Sequence, residues 1–204
     1  KQALKLLDEM QEKGIEPSEV TMSVAIKACG VGGQWQRALD LLSTMRERKM
    51  PLNLYVYNAA ITAIARAAKQ MSKSGESEGS LFLEIQDLLD QMRADDIEPD
   101  GFSFSSAISC CGAEGRWEEG LSLIDAMEKG GPKTRPNKVA YTAAIASCGN
   151  AGKVEHANRL FRQMKDQGLS ADRVAYNALF SAFRVAKQPD EAYDLWHEML
   201  GNPS

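Results

Sequence analysis

The sequence predicts an all-α protein, built as an α-solenoid (superhelix) of stacked helix-turn-helix repeats. Two observations lead to this prediction. A six-residue motif recurs along the chain with a glycine at a fixed distance after it, and the apolar residues on either side are spaced at the helical period. A β-strand interpretation fails, because the period-two alternation of apolar and polar residues is absent.

The recurring motif reads Ala-Ile-x-x-Cys-Gly and occupies residues 25–30, 107–112 and 144–149. A second glycine follows each copy at the same distance, and a methionine ends each pattern: Gly33 with Met45, Gly115 with Met127, and Gly152 with Met164. Self-similarity of this kind is typical of repeat architectures, in which one hairpin cannot bury its apolar face alone and neighbours stack to do so.

Aligning the copies divides the chain into repeat 1 (19–53), repeat 2 (54–100), repeat 3 (101–137), repeat 4 (138–172) and repeat 5 (173–204, truncated at its end). Residues 1–18 are the second half of a truncated earlier repeat. Repeat 2 carries an insertion near 69–80, which is polar and rich in glycine and serine. This composition predicts a mobile surface loop between the two helices of that repeat.

Composition narrows the classes of function. The chain has 204 residues and a formal net charge of −4, which counts against strong non-specific binding to nucleic-acid phosphates but leaves base contacts open. No apolar run is long enough to span a membrane. Because Lys1 begins inside an amphipathic pattern, we expect a fragment, from which any targeting segment has been lost.

Catalytic and metal-binding patterns are missing from the sequence. The four cysteines form no CxxC pair, and His156 and His197 lie far from any paired-cysteine spacing, so we expect neither a zinc site nor another metal or cofactor. No nucleophile elbow or phosphate-binding glycine loop is present, which argues against an enzyme. Cys29, Cys111 and Cys148 share one repeat position and are expected to be small core residues.

The segments 139–164 and 56–61, together with the repeat endings 14–18 and 97–100, resemble pentatricopeptide repeat proteins of the P class, whose repeats have roughly 35 residues. The tetratricopeptide repeat is a similar helical hairpin. Its Trp and Leu-Gly pattern in the first helix is missing here, since the tryptophans of this chain begin second helices.

The resemblance implies that each repeat binds one base of single-stranded RNA, read by the fifth and last residues of the repeat. Carried over, Ser23 with Asn53 and Ser105 with Asn137 select adenine, Asn58 with Asp100 selects uracil, Thr142 with Asp172 selects guanine, and Asn177 selects a pyrimidine. The implied target is near 5′-A-U-A-G-pyrimidine. The second residues of successive repeats sandwich the bases: Val20, Tyr55, Phe102, Val139 and Val174.

Simpler roles for these residues stay open at the level of sequence. Serine, threonine, asparagine and aspartate near a helix start are often N-caps, and Tyr55 and Phe102 are candidates for burial in the core. Similar proteins often carry a cation late in the first helix, near the phosphates. Here only Arg66 is basic at that position, with Lys27 the nearest further cation.

The function implied is sequence-selective RNA binding in organellar RNA processing, stability or translation, in chloroplast or mitochondrion, together with other proteins of an organellar complex. One alternative, favoured by the acidic balance, is a protein-interaction scaffold within a larger complex. Another is a binding array attached to an enzymatic domain elsewhere in the parent protein.

Overall fold

The computed structural model describes residues 2–75 and 80–201, and this part of the chain consists of α-helices joined by short connections. In chain order the helices are α1 (Gln2–Glu12), α2 (Glu19–Gly32), α3 (Trp35–Glu47), α4 (Leu54–Ser74), α5 (Leu81–Ala94), α6 (Gly101–Glu114), α7 (Trp117–Lys129), α8 (Lys138–Asn150), α9 (Val154–Asp166), α10 (Arg173–Ala186) and α11 (Pro189–Gly201). The predicted all-α class is confirmed.

The helices form two compact parts, an N-terminal part (Lys1–Ser106) and a C-terminal part (Ala107–Ser204). In the N-terminal part α2 packs against α1, α3 and α4, and α4 also packs against α3 and α5. In the C-terminal part α8 packs against α7, α9 and α10, and α10 packs against α9 and α11. The even-numbered helices are here called first helices, and α2, α4, α8 and α10 among them each contact both a hairpin partner and a neighbouring first helix. The division into repeats stays a prediction.

The glycine of the recurring motif lies where first helices approach one another closely. A Cβ atom placed on Gly30 in α2 would lie 3.1 Å from the carbonyl oxygen of Ala59 in α4, and one placed on Gly149 in α8 would lie 2.9 Å from that of Ala178 in α10. Real Cβ atoms essentially never come as close as 2.9 Å to another heavy atom, and 3.1 Å is tighter than nine in ten real Cβ contacts, so glycine permits the close spacing of both helix pairs. The glycine that follows the motif lies in the turn after the first helix. In repeat 1 this residue is Gly33, which caps the end of α2 with φ +68°, in the left-handed region.

The repeated cysteines and methionines form the core, as expected for Cys29, Cys111 and Cys148. These three thiols are fully buried, as are Met45, Met127 and Met164. Burial raises the pKa of Cys111 to about 12, and burial likewise raises that of Cys148 to about 11, so both stay protonated. Across residues 2–75 and 80–201, no group of three or more potential ligand side chains could hold a metal ion.

Buried tyrosines tie three of the first helices to second helices. The Tyr57 hydroxyl donates to Asp95 Oδ2 at 2.6 Å and also accepts a hydrogen bond from Arg46. The Tyr141 hydroxyl donates to Glu128 Oε1 at 3.0 Å, and that of Tyr176 donates to Glu198 Oε1 at 3.3 Å. Burial, reinforced by the neighbouring carboxylates, raises the pKa of Tyr57 and Tyr141 well above the usual range. The hydroxyls of Tyr57 and Tyr141 therefore remain hydrogen-bond donors throughout the physiological pH range.

The insertion in repeat 2 differs in part from the predicted loop. Residues 69–74 continue α4, which ends at Ser74 with Gly75 in the left-handed conformation at φ +73°. Lysine, glutamine and methionine near the start of the insertion are good helix formers, so the helix runs on until glycine ends it. Residues 76–79 lie outside the described residues. No helix in the described ranges is both long and apolar enough to cross a membrane.

Candidate nucleic-acid interface

The residues that close the predicted repeats are N-caps of the first helix that follows. Their side chains accept backbone hydrogen bonds: Asn53 from Val56 (3.1 Å), Asn137 from Ala140 (2.9 Å), Asp100 from Phe102 and Ser103 (3.1 and 3.0 Å), and Asp172 from Val174 and Ala175 (3.0 Å each). The capping role considered from the sequence is therefore real. It also fixes the position of each side chain, because a capping oxygen is held by the helix terminus.

In repeat 2 the two proposed reading residues contact each other directly. Asn58 Nδ2 donates a hydrogen bond to Asp100 Oδ1 at 3.3 Å. The hydroxyl of Ser103 donates to Asn58 Oδ1 at 2.6 Å and lies 3.0 Å from Asp100 Oδ1, so it bridges the pair. The second oxygen of Asp100, Oδ2, has no hydrogen-bond partner within the described residues. One carboxylate oxygen thus holds the site together while the other is available as an acceptor.

The Asp100 carboxyl is ionised at neutral pH. Its burial alone raises the pKa, but hydrogen bonds from the backbone N–H and hydroxyl of Ser103, from Asn58 and from the Phe102 N–H stabilise the anion more, and the net pKa lies below the usual value. The site therefore presents an anionic acceptor beside the Asn58 amide. This donor and acceptor pair is complementary to neighbouring acceptor and donor groups on the edge of a base.

The five proposed base-stacking residues are all exposed. Their exposed fractions are 71% for Val20, 49% for Tyr55, 53% for Phe102, 61% for Val139 and 60% for Val174. The alternative of core burial for Tyr55 and Phe102 is therefore wrong. An apolar side chain at the second residue of a first helix points away from the packed face, where it is available to a ligand.

Tyr55 and Phe102 line one groove in the N-terminal part, with a volume of about 660 Å³. Asn58 lines the same groove, as do both proposed phosphate-binding cations, Lys27 and Arg66. Asn53 lines it as well, so the groove combines two aromatic rings, two proposed reading residues and two positive charges.

The two cations are held by neighbours in different ways. The ammonium of Lys27 lies 5.4 Å from the centroid of the Tyr55 ring, within the range of a cation–π interaction. One guanidinium nitrogen of Arg66 donates to the carbonyl oxygen of Gly30 at 3.2 Å. Both side chains are exposed, so their positive charges are accessible at the groove.

Repeat 4 has a different arrangement of its proposed reading residues. One oxygen of Asp172 caps α10, and the other forms an ion pair with Lys138 at 3.2 Å. Hydrogen bonding by the Ala175 N–H, together with Lys138, lowers the Asp172 pKa although burial acts in the opposite direction. The hydroxyl oxygen of Thr142 is buried and has no hydrogen-bond partner among residues 2–75 and 80–201. A buried hydroxyl without a hydrogen-bond partner lowers the stability of the folded protein, unless a bound ligand supplies the missing hydrogen bond.

The remaining proposed reading residues differ in exposure. Ser23 is half-buried, and Asn177 is exposed. Ser105 is buried, and its hydroxyl donates to the carbonyl oxygen of Gly101 at 2.5 Å. Ser105 is therefore less accessible than the fifth residues of the other repeats.

The sequence interpretation missed Ser103 and Lys138. Ser103 completes a capping box, because the Asp100 N–H donates back to its hydroxyl at 3.2 Å. The spacing of an aspartate and a serine three residues later could have revealed it. No sequence pattern signals the Lys138–Asp172 ion pair, since these residues stand at opposite ends of repeat 4.

Comparison with known families gives matches along much of the chain. The model described as "PPR repeat" matches residues 20–50, 102–132 and 174–203. The model "PPR repeat family" matches 136–184, and "Pentatricopeptide repeat domain" matches 1–32.

Similar proteins and solved structures support the same family. A chloroplastic pentatricopeptide repeat-containing protein of Arabidopsis thaliana is 25% identical over 96% of this chain, and the chain spans 28% of that relative's length. The chloroplastic pentatricopeptide repeat-containing protein 10 of Zea mays is 28% identical over 49% of the chain, which corresponds to 11% of the maize protein.

The crystal structure of PPR10 from maize superposes with a TM-score of 0.73 at 25% identity, covering 98% of this chain and 27% of that one. PPR10 in complex with an 18-nt psaJ RNA element gives a TM-score of 0.70 at 24% identity, covering 99% of this chain and 31% of PPR10. Taken with the family matches, these similarities show that the chain belongs to the pentatricopeptide repeat family.

Proposed function

We propose that this chain binds single-stranded RNA through its first helices, with one base per repeat and a target near 5′-A-U-A-G-pyrimidine. The reading residues are Ser23, Asn53, Asn58, Asp100, Ser105, Asn137, Thr142, Asp172 and Asn177, and the flanking residues are Val20, Tyr55, Phe102, Val139 and Val174. Lys27 and Arg66 contact phosphates. The chain acts as a binding module and not as a catalyst.

The observation that carries this proposal is the direct hydrogen bond between Asn58 and Asp100, in a site that opens beside two exposed aromatic rings. Base recognition needs a polar pair held in a fixed geometry, so that the correct edge is bound without a further ordering cost. The capping box at Asp100 and the Ser103 bridge supply that rigidity. The solved complex of maize PPR10 with an RNA element adds support from a family member.

The proposed setting is an organelle, chloroplast or mitochondrion, where the parent protein acts in RNA processing, stability or translation with other proteins of an organellar complex. Two of the similar plant proteins are named as chloroplastic, which supports an organellar location.

The test is fluorescence anisotropy with a labelled RNA containing AUAGU, compared with the same RNA carrying a replacement at AUAG, at about 0.1 M salt. Stacking contributes ~1–3 kcal/mol per base, from which the ordering of a flexible RNA is subtracted, so we expect binding at about micromolar Kd or weaker. Loss of binding on replacing AUAG is the expected result.

A reading-pair exchange gives a sharper version of this test. Asn58→Thr recreates in repeat 2 the threonine and aspartate combination of repeat 4. We expect the variant to lose its preference for uracil at the second base and to bind AGAGU better than AUAGU. A variant that keeps the original preference would contradict base reading by this pair.

A protein-interaction scaffold is a second candidate function. The excess of 28 acidic over 24 basic residues favours it, because an acidic surface repels the RNA backbone. Absence of any sequence preference up to high micromolar protein would favour this candidate over RNA recognition.

A further inference from the structure

We propose that the affinity of this chain for RNA is concentrated on a single nucleotide, the base bound at repeat 2, which acts as the anchor of the complex. This inference rests on the RNA-binding function proposed above and adds an unequal distribution of binding energy among the repeats. It follows from the stacking surfaces and charges of one groove, and from the hydrogen bonds that hold Asn58, which lines this groove, to Asp100 and Ser103.

The stacking surfaces differ between repeats. The base of repeat 2 is flanked by Tyr55 and Phe102, and both rings line the same groove and are about half exposed. Repeat 1 combines Val20 with Tyr55, repeat 3 combines Phe102 with Val139, and repeat 4 has two valines. An aromatic ring offers a base a large flat surface, which a valine does not. Only the base of repeat 2 therefore gains a ring on both faces.

The positive charges are placed at the same groove. Lys27 lies over the Tyr55 ring, and Arg66 is fixed by its hydrogen bond to the Gly30 carbonyl. The equivalent positions to Arg66 in the other repeats are Val31, Ala113, Asn150 and Val185, which carry no charge. The phosphates beside the second base are therefore the best neutralised in the complex, and cations placed here add to stacking at the same nucleotide.

The polar edge of this site is also organised before RNA binds. Asn58, Asp100 and Ser103 form a closed set of hydrogen bonds, and one oxygen of Asp100 remains available. In repeat 4, by contrast, Lys138 pairs with the corresponding oxygen of Asp172. A base entering repeat 4 must share or displace that ion pair, whereas a base entering repeat 2 meets an open acceptor. Preorganisation thus favours the same nucleotide.

The decisive experiment removes one base at a time from the RNA. Five versions of an AUAGU oligonucleotide, each with one abasic nucleotide, keep the phosphates and lose a single stacking partner. We expect the abasic site at the second position to weaken binding about 5- to 150-fold, the range for loss of one stacked base, and the one at the fourth position to have a much smaller effect.

Protein variants supply matched controls. The double change Tyr55→Val and Phe102→Val gives repeat 2 the valines that occur in other repeats. Both side chains are about half exposed, so we expect the variant to fold. This variant should bind intact RNA more weakly, and an abasic nucleotide should then weaken its binding by a similar factor at each of the five positions. Val20→Phe places a second ring beside the first base, which Tyr55 also flanks, and we expect it to strengthen binding and to make the first base a second anchor.

The outcomes separate this inference from the proposed function. Binding of intact AUAGU with equal losses at all five abasic positions would leave RNA recognition standing and overturn the anchor. Failure of the unmodified chain to bind AUAGU at any accessible concentration would overturn both. A profile dominated by the second position in the unmodified chain, and lost in the double valine variant, would establish the anchor.

Discussion

At the scale of single residues, Asp100 links the stability of the protein to its proposed function. The same carboxylate oxygen that accepts backbone hydrogen bonds at the start of α6 also accepts one from Asn58. A change at this position therefore affects both the helix terminus and the reading site. The two effects can be separated, because asparagine keeps one oxygen acceptor for the helix cap, as Asn53 and Asn137 do at the same repeat position, and loses the charge and the second acceptor oxygen.

We expect Asp100→Ala to lower the free energy of unfolding by about 1 kcal/mol, the usual cost of losing an N-cap. Asp100→Asn should cost less at pH 7. Because the folded-state pKa of Asp100 is below the unfolded value, its ionic contribution is fully present above the unfolded pKa and is lost as pH falls through the folded pKa. The stability difference between the unmodified protein and Asp100→Asn should therefore shrink on acidification.

Urea denaturation from pH 7 down to about pH 2.5 measures this linkage, because the unfolding free energy is obtained at each pH. Asp172→Asn is the matched variant, since Asp172 also caps a first helix and also has a lowered pKa. A difference that stays constant over this range would show that the Asp100 carboxyl titrates alike in the folded and unfolded states.

At the scale of helices, the recurring glycine decides how closely first helices pack. Gly149 and Gly112 hold the same position in the Ala-Ile-x-x-Cys-Gly motif, yet their surroundings differ. A Cβ on Gly149 would meet the carbonyl oxygen of Ala178 at 2.9 Å and the Cβ of Ala182 at 3.2 Å. A Cβ on Gly112 would meet the nearest atoms, in Ala143 and Ser147, at 3.6 Å, which is ordinary contact.

We therefore expect opposite effects from the same substitution. Gly149→Ala should destabilise the protein by ~1–3 kcal/mol, because helices α8 and α10 must separate or strain to admit the methyl group. Gly112→Ala should stabilise it by up to ~1 kcal/mol, because alanine favours the helix more than glycine does and meets no close atom. Chemical denaturation of the two variants beside the unmodified chain measures both, and equal losses would contradict the packing difference.

The helices were largely predictable from the sequence, because the spacing of apolar residues and the glycines at the turns determine structure within a few residues of their own position. The end of α4 was not, since the composition of 69–80 indicated a loop while the helix-forming residues at its start extend the helix to Ser74. The candidate site was predictable only through the family resemblance. Contacts such as Lys138 with Asp172 join residues far apart in the chain, and periodicity carries no information about them.

At the scale of the whole molecule, the charge balance sets how the complex should respond to salt. A net charge of −4 leaves little general attraction for RNA, so we expect the proposed phosphate contacts to depend on the two cations at the groove, Lys27 and Arg66. Each neutralised phosphate of a single strand contributes about 0.7 to the slope of log K against log salt. Two contacts predict a slope of about −1.4, and affinity should fall only about sevenfold from roughly 0.05 to 0.2 M salt.

Anisotropy titrations of AUAGU over this salt range test the prediction. Lys27→Gln and Arg66→Gln should each reduce the slope by about 0.7 while leaving the preference for AUAG intact, because phosphates position the RNA and bases specify it. A slope several times steeper, unchanged in these variants, would mean that cations elsewhere on the molecule neutralise the backbone. The RNA would then follow a different path from the one marked by Tyr55 and Phe102, and the exposed rings would need another partner.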